Sequence, residues 1–112
     1  MAGIAALTGG TGFIGGRVAN QLIADGWQVR ALARTDWAGP VPTGLTIVPG
    51  SLEDSESLKR LVEGCSAVVH SAGTVRARSA REFHEINAKG AGRLAAAAEA
   101  TDSRPLFLHL SS

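Results

Sequence analysis

The sequence predicts an α/β fold in which the strands of a parallel sheet alternate with helices. Short apolar segments recur along the chain, and stretches with apolar residues at helical spacing separate them. A glycine-rich turn joins the first apolar segment to the first helical stretch. Strands that alternate with helices favour crossover connections, which place helices on both faces of a parallel sheet.

The first strand and the first helix lie on either side of this turn. The apolar run 3–7 predicts a buried strand, because it is short and ends in Thr-Gly-Gly. Apolar side chains then recur at helical spacing over residues 12–24, and Gly26 stands where a glycine often ends a helix. The order strand, turn, helix is therefore predicted.

The same alternation continues through the rest of the sequence. In chain order the patterns predict a strand at 27–33, a loop at 36–43, a strand at 45–48, a helix from near Asp54 to Gly64, a strand at 67–70, a loop at 74–81, a helix at about 82–100 and a strand at Leu106–Leu110. Right-handed connections with one reversal give a doubly wound sheet of strand order 3-2-1-4-5, in one domain over residues 1–112. Gly90 and Gly92 weaken the last helix, so we expect close packing at both.

Composition excludes several classes of function. Eleven Lys and Arg residues face ten Asp and Glu residues, so no excess charge indicates a nucleic-acid or membrane partner. Cys65 has no second cysteine to pair with, and no segment resembles a signal sequence or a membrane span. Three scattered histidines lack the spacing of metal ligands. We expect a cytoplasmic protein that binds a small molecule and no metal.

Gly9, Gly12 and Gly15 have the spacing of a Rossmann-type phosphate-binding turn. In such a turn the first glycine permits the sharp bend, the second lets the main chain approach a pyrophosphate, and the third lets the helix pack closely on the strand. The helix start also presents N–H groups and the positive end of its dipole. A glycine-rich turn without a ligand is the alternative.

Arg34 stands at the end of the second strand, where an acidic residue would hold the ribose 2′-hydroxyl of NAD. A guanidinium there can pair with the 2′-phosphate of NADP. The sequence therefore predicts a preference for NADP(H). Asp36 leaves NAD possible, and a solvated charge at a strand end is the other interpretation of Arg34.

Six segments together resemble the short-chain dehydrogenase/reductase superfamily, and in particular its extended branch of epimerase/dehydratase and dihydroflavonol-reductase-like proteins. They are TGGTGFIG at 8–15, VRALAR at 29–34, VPGSLED at 48–54, VVHSAG at 68–73, INAKG at 86–90 and LHLSS at 108–112. The resemblance covers the whole chain. It implies the N-terminal portion of such a protein, a Rossmann-type sheet truncated after the fifth strand.

The resemblance also implies where a dinucleotide would bind. The pyrophosphate would lie on the glycine turn, the adenine near Leu52, and the ribose next to the nicotinamide at the end of the fourth strand. Ser51 stands where the family usually has an aspartate, and Asn87 begins the family's Asn-x-x-Gly motif, although an exposed helix position would also explain it. The implied cofactor-binding residues are Gly9, Thr11, Gly12, Phe13, Ile14, Gly15, Arg34, Ser51, Leu52, Ser71, Ala72, Gly73 and Asn87.

Ser111 and Ser112 match the family's catalytic serine, most often the second of such a pair. Ser112 would hydrogen-bond the carbonyl or hydroxyl oxygen of a small-molecule substrate. The family's Tyr-x-x-x-Lys pair is missing, because the chain contains no tyrosine. We therefore expect a piece of a longer enzyme that is inactive by itself, and a complete protein that has lost the chemistry is the alternative.

The function predicted from these residues is the NADP(H)-preferring, dinucleotide-binding portion of an oxidoreductase or epimerase that transfers hydride at a carbon bearing oxygen. A non-catalytic dinucleotide sensor of the same superfamily is the rival interpretation. The resemblance makes a homodimer possible, and it does not name the substrate.

Overall fold

The computed structural model describes residues 3–10, 13–34, 37, 40–71 and 79–110. These ranges contain five strands and three helices, in an order that confirms the predicted alternation. In chain order the elements are β1 (Ile4–Thr8), α1 (Phe13–Ala24), β2 (Gln28–Ala33), β3 (Leu45–Pro49), α2 (Ser55–Val62), β4 (Ala67–Ser71), α3 (Ala80–Ala100) and β5 (Leu106–Leu110).

The five strands form one parallel sheet in the order β3-β2-β1-β4-β5, so the predicted topology is confirmed. Because all strands run in the same direction, their last residues meet along one side of the sheet, which we call the carboxyl edge. In this register Thr8 lies beside His70, and His70 lies beside His109. Doubly wound sheets bind ligands at this edge, where the strand order reverses.

Helices cover both faces of the sheet. Ala19 of α1 packs against Leu7, Val29 and Val69 on one face. On the other face α2 and α3 contribute Leu58, Leu61, Val62, Leu94 and Ala98 to a second apolar cluster, together with Ala6 and Val68 of the central strands. At about 25 cal/mol per Å² of apolar surface, burial of each leucine contributes about 2 kcal/mol to folding.

The outermost strand β5 is covered on one face only. Its Phe107 packs against the cluster beneath α2 and α3, whereas Leu106, Leu108 and Leu110 are exposed. Leu106, Phe107 and Leu108 alternate with the period of two expected for an edge strand with one covered face, whereas His109, on the same side as Phe107, is exposed. In the described part of the chain, no helix combines the length and the apolar character needed to cross a membrane.

Two details of α3 differ from the sequence prediction. The helix begins at Ala80, because the Ser79 side chain accepts a hydrogen bond from the Glu82 N–H at 3.2 Å; a loop reaching Arg81 was therefore wrong. Close packing is present at Gly90, where a Cβ would lie 3.0 Å from Leu52 Cδ1. It is absent at Gly92, where a Cβ would meet nothing within 4 Å, so that expectation was also wrong.

Candidate functional site

Gly9 brings the ends of β1 and β4 into contact at the carboxyl edge. Its backbone has φ +72°, a conformation that side-chain-bearing residues rarely adopt. A Cβ on Gly9 would lie 2.7 Å from the Ser71 carbonyl oxygen and 3.0 Å from Ser71 Cβ. The sharp bend predicted after β1 is therefore present, and it places two predicted site residues against each other.

Gly15 packs the first turn of α1 onto the same bend. A Cβ on Gly15 would overlap the carbonyl group of Gly9 and would lie 3.0 Å from the Gly10 Cα. Only a residue without a side chain lets the helix begin so close to the end of β1. The predicted close packing of helix on strand at Gly15 is thus seen in the structure, and the start of α1 lies over the carboxyl edge.

The ends of β2 and β3 lie beside this turn along the carboxyl edge. The Gly50 N–H donates to the Ala33 carbonyl at 3.0 Å and so ties the two strand ends together. Arg34 directly follows β2 and is exposed. Its guanidinium makes no hydrogen bond or ion pair to another residue in the described ranges. The charge at the end of β2 therefore faces solvent at the edge where the glycine turn lies.

Leu52 and α3 form the next part of the site. The Leu52 side chain is half-buried against Gly90, and Asn87 lies one turn earlier on the same side of the helix. Ser51 forms hydrogen bonds with nearby residues of the chain. Its hydroxyl accepts from the Glu53 N–H at 3.3 Å, and its carbonyl accepts from the Ser57 hydroxyl at 3.2 Å. The structure thus holds Leu52 in place against Gly90, the glycine that ends the segment INAKG.

A buried polar pair that the sequence analysis gave no role lies directly behind the glycine turn. Thr8 Oγ1 and His70 Nδ1 are 2.6 Å apart, and each residue is 2% exposed. The His70 ring also stands 4.8 Å from the exposed ring of His109. The pKa of His70 is lowered below 6.5, mainly because burial disfavours the charged ring. The positive charge of His109 lowers this pKa further. Only the register of β1 and β4 brings the two residues together, so no local sequence signal indicates the pair.

We expect the stability of the fold to decrease as the pH falls below about 6.5, the pKa of an unperturbed histidine. The pKa of His70 is lower in the folded chain, so the unfolded chain binds more protons in this range and protonation favours unfolding. NMR titration of the histidine ring protons should show His70 titrating below 6.5. In the variant His109→Gln its midpoint should move upward, and an unchanged midpoint would contradict the proposed repulsion.

A profile of the NAD dependent epimerase/dehydratase family matches residues 5–112. The chain belongs to this family. It is 38% identical over 112 residues to the ceramide reductase of Caulobacter vibrioides, covering 98% of this chain and 35% of that protein. It is 35% identical over 85 residues to a decarboxylating sterol-4-alpha-carboxylate 3-dehydrogenase of Dictyostelium discoideum, covering 72% of this chain and 26% of that protein.

A solved structure of a short-chain dehydrogenase/reductase superfamily protein from Agrobacterium tumefaciens, with bound NAD, superposes on this fold with a TM-score of 0.75. It is 32% identical and covers 98% of this chain and 32% of its own. The resemblance to the extended branch of the superfamily is therefore confirmed. The chain spans about one third of the ceramide reductase that it matches.

Several of the residues predicted for the site lie outside the described residues. They are Thr11, Gly12, Ala72, Gly73, Ser111 and Ser112, together with Asp36. Phe13 and Ile14 are the first two residues of α1. The structure brings together Gly9, Gly15 and Ser71 at the turn, and Leu52 with Gly90 beside it. Within the described ranges, no group of three or more His, Cys, Asp or Glu side chains could hold a metal ion.

Proposed function

We propose that this chain is the NADP(H)-preferring, dinucleotide-binding portion of an oxidoreductase or epimerase that transfers hydride at a carbon bearing oxygen. The observation that carries the proposal is the contact of Gly15 with Gly9, and of Gly9 with Ser71, at the carboxyl edge. At Gly9 and Gly15 a Cβ has no room, as expected where a helix start must lie close to a phosphate-binding turn.

The electrostatics of the turn fit a pyrophosphate. The first N–H groups of a helix have no partner within the helix, and they lie at the positive end of its dipole. The first turn of α1 contains no acidic residue that would repel an anion. Phosphate oxygens placed at this helix start would therefore receive hydrogen bonds from main-chain N–H groups.

The remaining predicted residues would bind the other parts of the dinucleotide. Arg34 would pair with the 2′-phosphate, Leu52 would contact the adenine, and Ser51 would add a main-chain contact. Ser71, Ala72, Gly73 and Asn87 would line the ribose next to the nicotinamide. The names of the two relatives, a reductase and a dehydrogenase, support hydride transfer in the longer protein.

The nicotinamide, when bound, would supply or accept the hydride. Within this chain, Ser112, with Ser111 before it, would hydrogen-bond the reacting oxygen and hold it in position. The partner that moves the proton would come from the longer protein, because the family's tyrosine is not in these 112 residues. Alone, the chain should bind the dinucleotide without turning over a substrate.

We expect the chain to bind NADPH more tightly than NADH, and Arg34→Ala to remove the difference. Because Arg34 is exposed, we take the lower end of the range for a charge-assisted hydrogen bond, about 1.5 kcal/mol or roughly tenfold in affinity. Isothermal titration calorimetry of both proteins with both nucleotides measures the two ratios.

The matched control is Arg60→Ala, which removes the same charge from the last turn of α2, at the opposite end of the sheet. It should leave both affinities unchanged at physiological ionic strength, where charges far apart are screened from each other. Equal affinity of the wild-type chain for NADPH and NADH would refute the preference. If calorimetry detects no heat of binding with either nucleotide at millimolar concentration, the proposal that the chain binds a dinucleotide is refuted.

A further inference from the structure

The indole of Trp37 lies against the glycine turn. Trp37 belongs to the connection between β2 and β3, three residues after Arg34. A Cβ on Gly10 would lie 3.4 Å from Cη2 and 3.5 Å from Cζ3 of the Trp37 ring. The ring also packs against the cluster beneath α1, which contains Leu7 and Ala31. It thus connects the residues after β2 with the turn after β1.

Trp37 is also close to Arg34 along the chain. Successive Cα atoms are 3.8 Å apart, so the Arg34 Cα lies within about 11 Å of the Trp37 Cα whatever path the chain takes between them. Arg34 directly follows β2 at the carboxyl edge and is exposed, and the indole on Gly10 places Trp37 beside the same turn. A stretch of chain that is already held beside a binding site loses less entropy when the ligand binds.

We propose that Trp37 is a positioning residue for the 2′ end of the adenosine ribose: its indole anchors the chain beside Arg34 to Gly10 of the glycine turn. The inference rests on the proposed binding of a dinucleotide at this turn. It assigns Trp37 to recognition of the 2′ substituent, through the placement of Arg34.

The first test compares the affinities for NADPH and NADH in Trp37→Leu and Trp37→Phe. Loss of the anchor should lower the NADPH-to-NADH affinity ratio about fivefold in Trp37→Leu, equivalent to about 1 kcal/mol. Trp37→Phe keeps an aromatic ring that can pack on Gly10, so its NADPH-to-NADH affinity ratio should stay close to that of the wild-type chain. In an Arg34→Ala background, Trp37→Leu should leave the ratio unchanged, because coupled residues are not additive.

Trp27 supplies a matched control. It lies at the opposite edge of the sheet, where its Cζ3 would be 4.0 Å from a Cβ on Gly3. The chain has two tryptophans, so Trp27→Phe leaves Trp37 as the sole emitter and Trp37→Phe leaves Trp27. Titration with 2′,5′-ADP, which lacks the nicotinamide that absorbs tryptophan emission, should change the Trp37 signal and leave the Trp27 signal constant.

The possible results separate this inference from the proposed function. No heat with NADPH, NADH or 2′,5′-ADP would remove the proposed function and this inference with it. If the wild-type chain binds but Trp37→Leu weakens both nucleotides equally, Trp37 only supports the fold and the inference fails. It also fails if 2′,5′-ADP binds by calorimetry while the emission of Trp37 stays constant.

Discussion

Replacing Gly15 by alanine will lower the free energy of unfolding by about 3 kcal/mol and abolish binding of NADPH. The added Cβ would overlap the Gly9 carbonyl group, which is main chain and cannot rotate away. The helix start or the turn must therefore move, and such overpacking destabilises a fold by typically 1–3 kcal/mol. Since the phosphate contacts depend on the same main chain, binding should be lost with the packing. Urea unfolding and calorimetry measure the two effects.

Gly16→Ala is the control for this prediction. It is the same substitution, one residue later in the same helix, but its Cβ would lie 3.6 Å from the Gly10 carbonyl oxygen, an ordinary contact. Alanine is the better helix former, so this variant should be as stable as the wild type or more stable by up to about 1 kcal/mol. If the two alanine variants unfold at the same urea concentration, Gly15 is not required for close packing.

The sequence was sufficient to predict this part of the molecule, because its signals are local. A buried strand, a glycine turn and a helix need only neighbouring residues to be recognised, and parallel connections then restrict the order of the strands. Gly9 and Gly15 could therefore be given structural roles in advance. The boundary of α3 was wrong by two residues, because Ser79 and not a later residue caps the helix.

Contacts between distant residues could not be predicted in this way. Thr8 and His70 are 62 residues apart, and their hydrogen bond exists only because the register of β1 and β4 places them side by side. Trp37 carried no signal beyond a preference for packing, since its contact with Gly10 depends on how the chain returns after β2. Such contacts follow from tertiary geometry and not from sequence spacing.

The contacts of Arg30 are also with residues distant in the sequence, so the sequence did not indicate them. Removing them is the second large effect that we expect. This residue of β2 reaches the last turn of α2, where its Nη1 lies 3.2 Å from the Arg60 carbonyl oxygen, 3.3 Å from that of Leu61 and 2.5 Å from that of Glu63. These carbonyls include the unpaired ones at the negative end of the helix dipole. Arg30→Met should therefore destabilise the fold by about 2–3 kcal/mol, the worth of a charged group in hydrogen bonds.

Cys65 provides an independent measure of this role for Arg30. Burial raises the pKa of the Cys65 thiol, and the positive charge of Arg30, whose Nη1 is 3.8 Å from Sγ, partly opposes this. Arg30→Met should raise that pKa further, as followed by the ultraviolet absorbance of the thiolate during a pH titration, whereas Arg30→Lys should retain part of the effects on stability and on the pKa. Arg93→Met, at an exposed position of α3, should change neither the stability of the fold nor the pKa of the Cys65 thiol. A positive charge at the end of α2 should affect both the stability of the fold and the pKa of the Cys65 thiol. If Arg30→Met lowers the stability and leaves that pKa unchanged, Arg30 acts by packing alone.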